Sequence, residues 1–319
     1  MAVYTDISDA ELDAFLDGYE IGRAVSFKGV AEGVENSNFL LETDQGRYVL
    51  TIYERRVRAA DLPFFLGFMQ HLARAGFPSA VPVESREGRL IGELRGKPAA
   101  IVSFLQGISV RRPSPGHCRE AGSGLAWLHE AGRGLADARA NDLGHGAWAG
   151  LFEALALDAE ALKPGLAAQV EGDVSRLADD WPADLPEGVI HADFFPDNVF
   201  FRDGRFAGAI DFYFAARDAL AYDLAIALNA WCFEADGSFN VTAARALVAG
   251  YERRRPLSDA ERRALPTLAH GAALRFFLTR LADWRSTPPG ALVRPKDPLE
   301  YERRLAVHRA GIGLFEAAP

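Results

Sequence analysis

Between His191 and Phe212 the chain sets a carboxylate on a loop, follows it with an amide, and closes a short apolar hairpin onto a second carboxylate. The stretch reads His191-Ala192-Asp193-Phe194-Phe195-Pro196-Asp197-Asn198, then Val199-Phe200-Phe201, and after the turn Ala209-Ile210-Asp211-Phe212. Val199-Phe200-Phe201 and Phe206-Ala207-Gly208-Ala209-Ile210 read as paired strands joined by Arg202-Asp203-Gly204-Arg205, whose Asp-Gly pair is a strong hairpin signal. The hairpin brings Asp211, at the exit of its second strand, back beside Asn198, at the entry of its first. Any fold for this chain must present the loop and both ends of the hairpin at one place.

Each residue type suits a task there. A loop carboxylate such as Asp193 can orient a hydroxyl and accept its proton. An amide oxygen and a carboxylate, Asn198 and Asp211, suit a hard divalent cation whose shell is completed by phosphates and water. Taken singly, Asp and Asn are ordinary turn residues and His191 an ordinary packing histidine. In this order they read as the layout of kinase-type phosphoryl transfer.

The chain is 319 residues long and 49% hydrophobic, enough for a large core or for two lobes sharing a cleft. Its formal net charge is -9 with no basic tract, which argues against a nucleic-acid partner. A phosphate site in so acidic a chain must rely on local cations, metal and backbone N–H groups. Cys118 and Cys232 fit no metal or redox spacing and read as free thiols in a reducing compartment. The first residues lack the basic and apolar regions of a signal peptide, and no apolar run approaches the ~20 residues that span a bilayer. The expectation is a cytoplasmic protein without a membrane partner.

Ser8-Asp9-Ala10-Glu11 is a capping box opening a short amphipathic helix. Strands are expected at Glu20 to Lys28, Ser37 to Thr43 and Tyr48 to Tyr53, with Asp44-Gln45-Gly46 turning between the last two. Ala60 to Ala75 reads as a helix capped by Gly76, and Pro78 to Glu84, Leu90 to Leu94 and Pro98 to Phe104 as further short strands. Gln106-Gly107-Ile108-Ser109 reads as a linker, after which the pattern turns mainly helical. Helices are expected around Leu125 to His129, Leu151 to Leu157 and 220 to 233. A second capping box, Ser258-Asp259-Ala260-Glu261, opens a long helical region to about Trp284 that Pro266 should bend or split. A Pro-rich loop, Ser286 to Pro298, precedes a last helix from Leu299.

A small sheet lobe, a linker and a helical lobe carrying His-x-Asp-(x4)-Asn and then Ile-Asp resemble the aminoglycoside phosphotransferase and choline kinase superfamily. Within it the chain is most similar to the homoserine kinases of that type. The stretches carrying this likeness include Gly33-Val34-Glu35-Asn36-Ser37-Asn38-Phe39, Asp218-Ala219-Leu220-Ala221-Tyr222-Asp223-Leu224-Ala225 and Leu274-Arg275-Phe276-Phe277-Leu278-Thr279-Arg280-Leu281. The resemblance implies an α+β, protein-kinase-like two-lobed fold, with a small antiparallel sheet lobe over residues 1–106 and a larger, mainly helical lobe over 107–319. It implies an ATP-dependent enzyme that phosphorylates L-homoserine.

On that resemblance Asp193 is the catalytic base, and Asn198 and Asp211 ligate Mg2+. The turn Glu35-Asn36-Ser37-Asn38 covers the phosphates, with the Ser37 hydroxyl among its donors, and Val102 to Gln106, with Phe104 inside it, is the hinge for adenine. Asp223 and His191 support the loop. The superfamily's third-strand lysine, which grips the α- and β-phosphates, is absent, and Thr51 stands in its place. Lys28, Arg55 and Arg56 are the candidate substitutes, and the sequence does not choose among them.

An amino-acid acceptor needs a cation for its carboxylate and an acid or carbonyl for its ammonium. Arg275, Thr279 and Asp283 share one helix face at i, i+4 and i+8, with Arg280 on the adjacent face. Arg275 or Arg280 is expected to bind the carboxylate and Asp283 or Asp218 the ammonium, with a surface pair between Arg280 and Asp283 as the competing reading. The rival activities are a kinase for choline, an aminoglycoside or a sugar derivative, and a nucleotide-binding pseudokinase prompted by Thr51. The sequence leaves the oligomeric state open.

Overall fold

Alternating apolar residues build a sheet with one face sealed. A computed structural model of the chain describes residues 5–30, 36–54, 57–135, 139–287 and 295–311. Glu35, Arg55, Arg56 and part of the 286–298 loop lie outside the described residues. The sheet holds β1 (Ala24–Gly29), β2 (Ser37–Thr43), β3 (Arg47–Ile52), β4 (Gly92–Leu94) and β5 (Lys97–Ser103), in the order β1-β2-β3-β5-β4. Phe39, Leu41, Leu50, Ile52, Ala99 and Ile101 point to one face and pack under α1 (Asp9–Leu16), whose Ser8–Glu11 capping box is present. The alternate residues Val49, Tyr53, Ala100 and Val102 point the other way, onto α2 (Leu62–Arg74) and a core shared with the helical lobe.

Two departures from expectation lie here. β1 begins at Ala24 because Gly22, at φ 82°, turns the chain first. The stretch Pro78 to Glu84 forms isolated bridges, Ser79 to Ala209 and Pro82 to Val102, and no strand, since two prolines remove ladder donors.

The helical lobe contains α3 (Pro115–Ala131), α4 (Trp148–Leu162), α5 (Leu166–Asp180), α6 (Leu220–Trp231), α7 (Val241–Glu252), α8 (Asp259–Ser286) and α9 (Pro298–Arg309). α3 and α7 approach so closely that a Cβ on Gly122 would stand 2.0 Å from the Leu247 carbonyl. α8 passes through Pro266 as one helix. Pro266 is exposed, so water can take the carbonyl that its missing N–H leaves free, while buried Leu265, Leu268 and Ala269 hold both sides.

Two small ribbons carry the site. β6 (Glu187–Ile190) pairs antiparallel with β9 (Ala216–Ala219), and β7 (Val199–Arg202) pairs with β8 (Arg205–Ala209). The β7–β8 turn has Asp203 at φ 52° and Gly204 at φ 73°, the doubly left-handed turn that Asp-Gly favours. The upper lobe meets β8 backbone to backbone, where the Ala209 N–H donates to Pro78 O at 3.3 Å. A Cβ on Gly208 would lie 2.5 Å from that same carbonyl oxygen and 2.9 Å from Leu105.

Candidate active site

β6 ends at Ile190 and delivers His191 to the first turn of α6. There Asp223, fully buried, accepts the backbone N–H groups of His191 at 2.7 Å and Ala192 at 2.9 Å. Its Oδ2 also meets His129 Nε2 at 3.0 Å. Ala192 sits at φ 61°, a left-handed conformation that costs an L residue about 1–2 kcal/mol. Asp223 offsets that cost from the N–H side, and Arg275 donates to the Ala192 carbonyl from the other. The next residue, Asp193, is thus presented by a peptide fixed at both ends.

The support runs deeper than the loop. His129 Nδ1 meets the Tyr251 hydroxyl at 2.8 Å, Arg255 donates to that hydroxyl at 3.1 Å, and Glu261 of the α8 capping box accepts from Arg255 at 2.7 Å. Burial pulls the Asp223 carboxyl upward, but the hydrogen bond and charge of His129, with His191 beside it, outweigh burial and hold it below its ordinary value. Burial pushes His191 down, so it stays neutral. Its Nδ1 accepts the Asp193 N–H at 3.2 Å, which makes Nε2 the donor to Ile210 O at 3.0 Å.

The hairpin closes as its sequence requires. Ile210 N–H donates to Asn198 O at 3.0 Å, extending the ladder one step and setting Asp211 beside Asn198. Asn198 Nδ2 donates to Asp193 Oδ2 at 2.9 Å, and so turns its amide oxygen away from that carboxylate. Asp211 is left-handed at φ 64°. Asp193, Asn198 and Asp211 therefore converge. Among the described residues no group of three or more His, Cys, Asp or Glu gathers into a metal site. An amide oxygen and a carboxylate fit a divalent ion that takes its remaining ligands from phosphates and water.

Across the cleft, Asn38 and Thr51 are partners in the β2–β3 register, and the Thr51 hydroxyl donates to Asn38 Oδ1 at 2.8 Å. Ser37 lies on the opposite face, where it donates to Glu54 at 2.7 Å and accepts the Thr5 N–H. Asn36 is buried and accepts from the Glu54 N–H at 3.3 Å. The structure thus brings Asn38 and Thr51 to the cleft face and turns Ser37 away. Val102 ends the buried run of β5, and Phe104, 38% exposed, follows it toward the linker.

The four expected acceptor contacts separate. Arg275 is 2% exposed, stacks on Phe276 at 4.3 Å, and has no acidic partner among the described residues; its Nε has no hydrogen-bond acceptor. Arg280, by contrast, pairs with Glu300 of α9 at 2.5 Å and covers Tyr301. Asp218 accepts from Asn141 at 2.7 Å, and burial raises its pKa. Asp283 lies one helical turn beyond Thr279, partly buried. Among the described residues the Tyr222 hydroxyl is buried without a partner, and both Arg275 and Asp218 act on it electrostatically, which places the three in one neighbourhood. The residue reading missed His129, Tyr251, Arg255 and Tyr222, none of which carries a local signal.

No helix among the described residues is long and apolar enough to cross a membrane. Residues 26–257 match the model of the phosphotransferase enzyme family. The chain is 68% identical over 99% of both chains to the homoserine kinase of Caulobacter sp. (strain K31). It is 58% identical to that of Xanthobacter autotrophicus, over 97% of each chain. Among solved structures it is similar to amicoumacin kinase hAmiN in complex with AMP-PNP and Ca2+ (TM-score 0.69, 15% identity, 95% and 92% of the two chains). It is also similar to a spectinomycin phosphotransferase in complex with ADP and its antibiotic (TM-score 0.68, 13% identity, 95% of each).

Proposed function

The chain belongs to the phosphotransferase enzyme family, and from that premise we propose that it transfers the γ-phosphoryl group of ATP to the hydroxyl of L-homoserine. The observation that carries the reading is the convergence of Asp193, Asn198 and Asp211 on a loop fixed from both sides. Identity to homoserine kinases over nearly the whole chain supports the acceptor.

Asp193 orients the acceptor hydroxyl and takes its proton as the oxygen attacks phosphorus. Asn198, through its donated N–H, holds the Asp193 carboxylate in one rotamer. Asn198 Oδ1 and Asp211 would hold Mg2+, which when bound neutralises charge on the phosphates. Val102 and Phe104 border the adenine site, and Asn38 and Thr51 face the phosphates. Of the two arginines, Arg275 is the better carboxylate ligand. Its guanidinium touches the residue next to Asp193 and has no competing acid among the described residues, whereas Arg280 is already neutralised by Glu300. Asp218 shares the Tyr222 neighbourhood with Arg275 and is the better partner for the ammonium. The sheet lobe, 1–106, binds the nucleotide, and the helical lobe, 107–319, supplies the chemistry and the acceptor pocket. Two free thiols suit a cytoplasmic setting.

The test is ADP release from Mg-ATP, coupled to NADH oxidation, with L-homoserine set against choline, serine and an aminoglycoside. Turnover with homoserine alone is expected. Equal or greater turnover with another acceptor overturns the substrate, and ATP binding without turnover on any of them overturns the assigned activity.

A further inference from the structure

In protein kinases a third-strand lysine pairs with a glutamate on the neighbouring helix, and the two together hold the nucleotide phosphates. This chain lacks both halves of the pair. The strand position is Thr51, and the helix α2, LPFFLGFMQHLAR, contains no Asp or Glu. A lysine at position 51 would find no carboxylate on the helix beside it.

A pair of phenols fills the space instead. Tyr53 comes from the upper lobe at the end of β3 and is 1% exposed. Tyr213 rises from the lower lobe two residues after Asp211 and is only half-buried. Their hydroxyls meet at 2.9 Å and their rings stand edge to face at 5.4 Å. Tyr213 also packs edge-on against Phe65 of α2, centroids 5.8 Å apart.

Burial decides how such a pair donates. Tyr53 is sealed, Tyr213 is half-buried, and the Tyr213 hydroxyl lies in hydrogen-bonding reach of both Tyr53 and Thr51. With an anion beside Tyr213 and Asn38, the favourable order is Tyr53 donating to Tyr213 and Tyr213 turning its own O–H from Thr51 to the anion, each O–H polarising the next. The same logic holds for the neighbouring pair. Thr51 occupies the carbonyl oxygen of Asn38, so the amide N–H groups of Asn38 are the atoms left to donate.

We infer that Tyr213, backed by Tyr53, and Asn38, backed by Thr51, form an uncharged clamp on the phosphate chain of the nucleotide, in place of the lysine–glutamate pair. This rests on the kinase reading above. Tyr213 is the contact and Tyr53 its positioning residue. Because the clamp supplies donors and no charge, neutralisation of the phosphates would come from outside it, from the divalent ion that Asn198 and Asp211 would hold.

The experiment is calorimetric titration of the full chain with Mg-ATP and, separately, with adenosine, for wild type, Tyr213→Phe and Tyr53→Phe. Loss of a hydrogen bond to a charged group should weaken Mg-ATP roughly 10- to 100-fold in Tyr213→Phe, with adenosine changed less than about twofold. Tyr53→Phe should weaken Mg-ATP by a smaller factor, again sparing adenosine. Unchanged Mg-ATP affinity in Tyr213→Phe, or an equal loss for adenosine, overturns the clamp while leaving the kinase reading intact. Wild type that fails to bind Mg-ATP overturns both. If Tyr213→Phe does not fold, as judged by its melting curve, unchanged Mg-ATP affinity in Tyr53→Phe overturns the clamp.

Discussion

The floor and the ceiling of the cleft are built from opposite materials. The floor, in the helical lobe, is held by buried charge: Asp223, Arg255, Glu261 and Arg275 are each less than 9% exposed and lie under or beside the loop that carries Asp193. The ceiling, in the sheet lobe, offers Asn38, Thr51 and Tyr53, none of them ionic at neutral pH. Buried ions are costly unless paired and hydrogen-bonded. Most of those below are, and they hold a left-handed peptide that nothing local would stabilise. On the proposed reading the ceiling faces a ligand that brings its own charge and its own cation, so neutral donors suffice there. Charge marks where the protein alone must fix geometry.

The largest expected effect is at the floor. Asp193→Asn should lower turnover with homoserine by about 10³-fold while leaving the Mg-ATP dissociation constant within a few-fold, as steady-state kinetics beside calorimetry will show. A similar loss in nucleotide binding would mean that Asp193 serves the ceiling as well.

Asp223→Ala should destabilise the fold by about 3–5 kcal/mol in urea unfolding, because it strands His129 and two backbone donors. The same carboxylate gives a pH signature. Its folded pKa lies below the unfolded value of about 4, so its contribution is whole above that pH and disappears as pH falls through the lowered value. Wild type should lose stability in that acid window more steeply than Asp223→Ala.

Smaller effects separate the two arginines of α8. Arg275→Ala should raise KM for homoserine roughly 10- to 100-fold with KM for ATP nearly unchanged, and Arg280→Ala should act mainly on melting temperature. Equal effects of Arg275→Ala on both substrates would return it to a purely supporting role. Smallest of all, Thr51→Lys probes the ceiling. With no acid on α2 to meet it, the added ammonium should destabilise the fold by about 1–3 kcal/mol and leave kcat/KM for ATP no higher. A gain would break the contrast drawn here.

What the sequence made legible was local. The β7–β8 turn, both acidic capping boxes and the alternation of β2 are signals within a few residues, and each recurs in the structure. The third capping box escaped because His117 takes the place that Glu or Gln usually fills after Ser114. The β6–β9 pairing escaped because each strand has only four residues and its partner is distant. His129 and Asp223 are 94 residues apart, so their contact is a property of packing alone. Arg275 and Arg280 look equivalent in sequence, and only Glu300, arriving on α9, distinguishes them. Pro266 misled because the rule against proline in helices concerns the carbonyl one turn back, and here that carbonyl faces water.

One contact bears on how floor and ceiling can move against each other. At Gly208 the lower hairpin touches the chain at Pro78 with no room for even a methyl group between them. A swing of the ceiling about that contact would move Leu105 least and Asn38 more, and would have to part the Tyr53 and Tyr213 hydroxyls and shift the core the two lobes share.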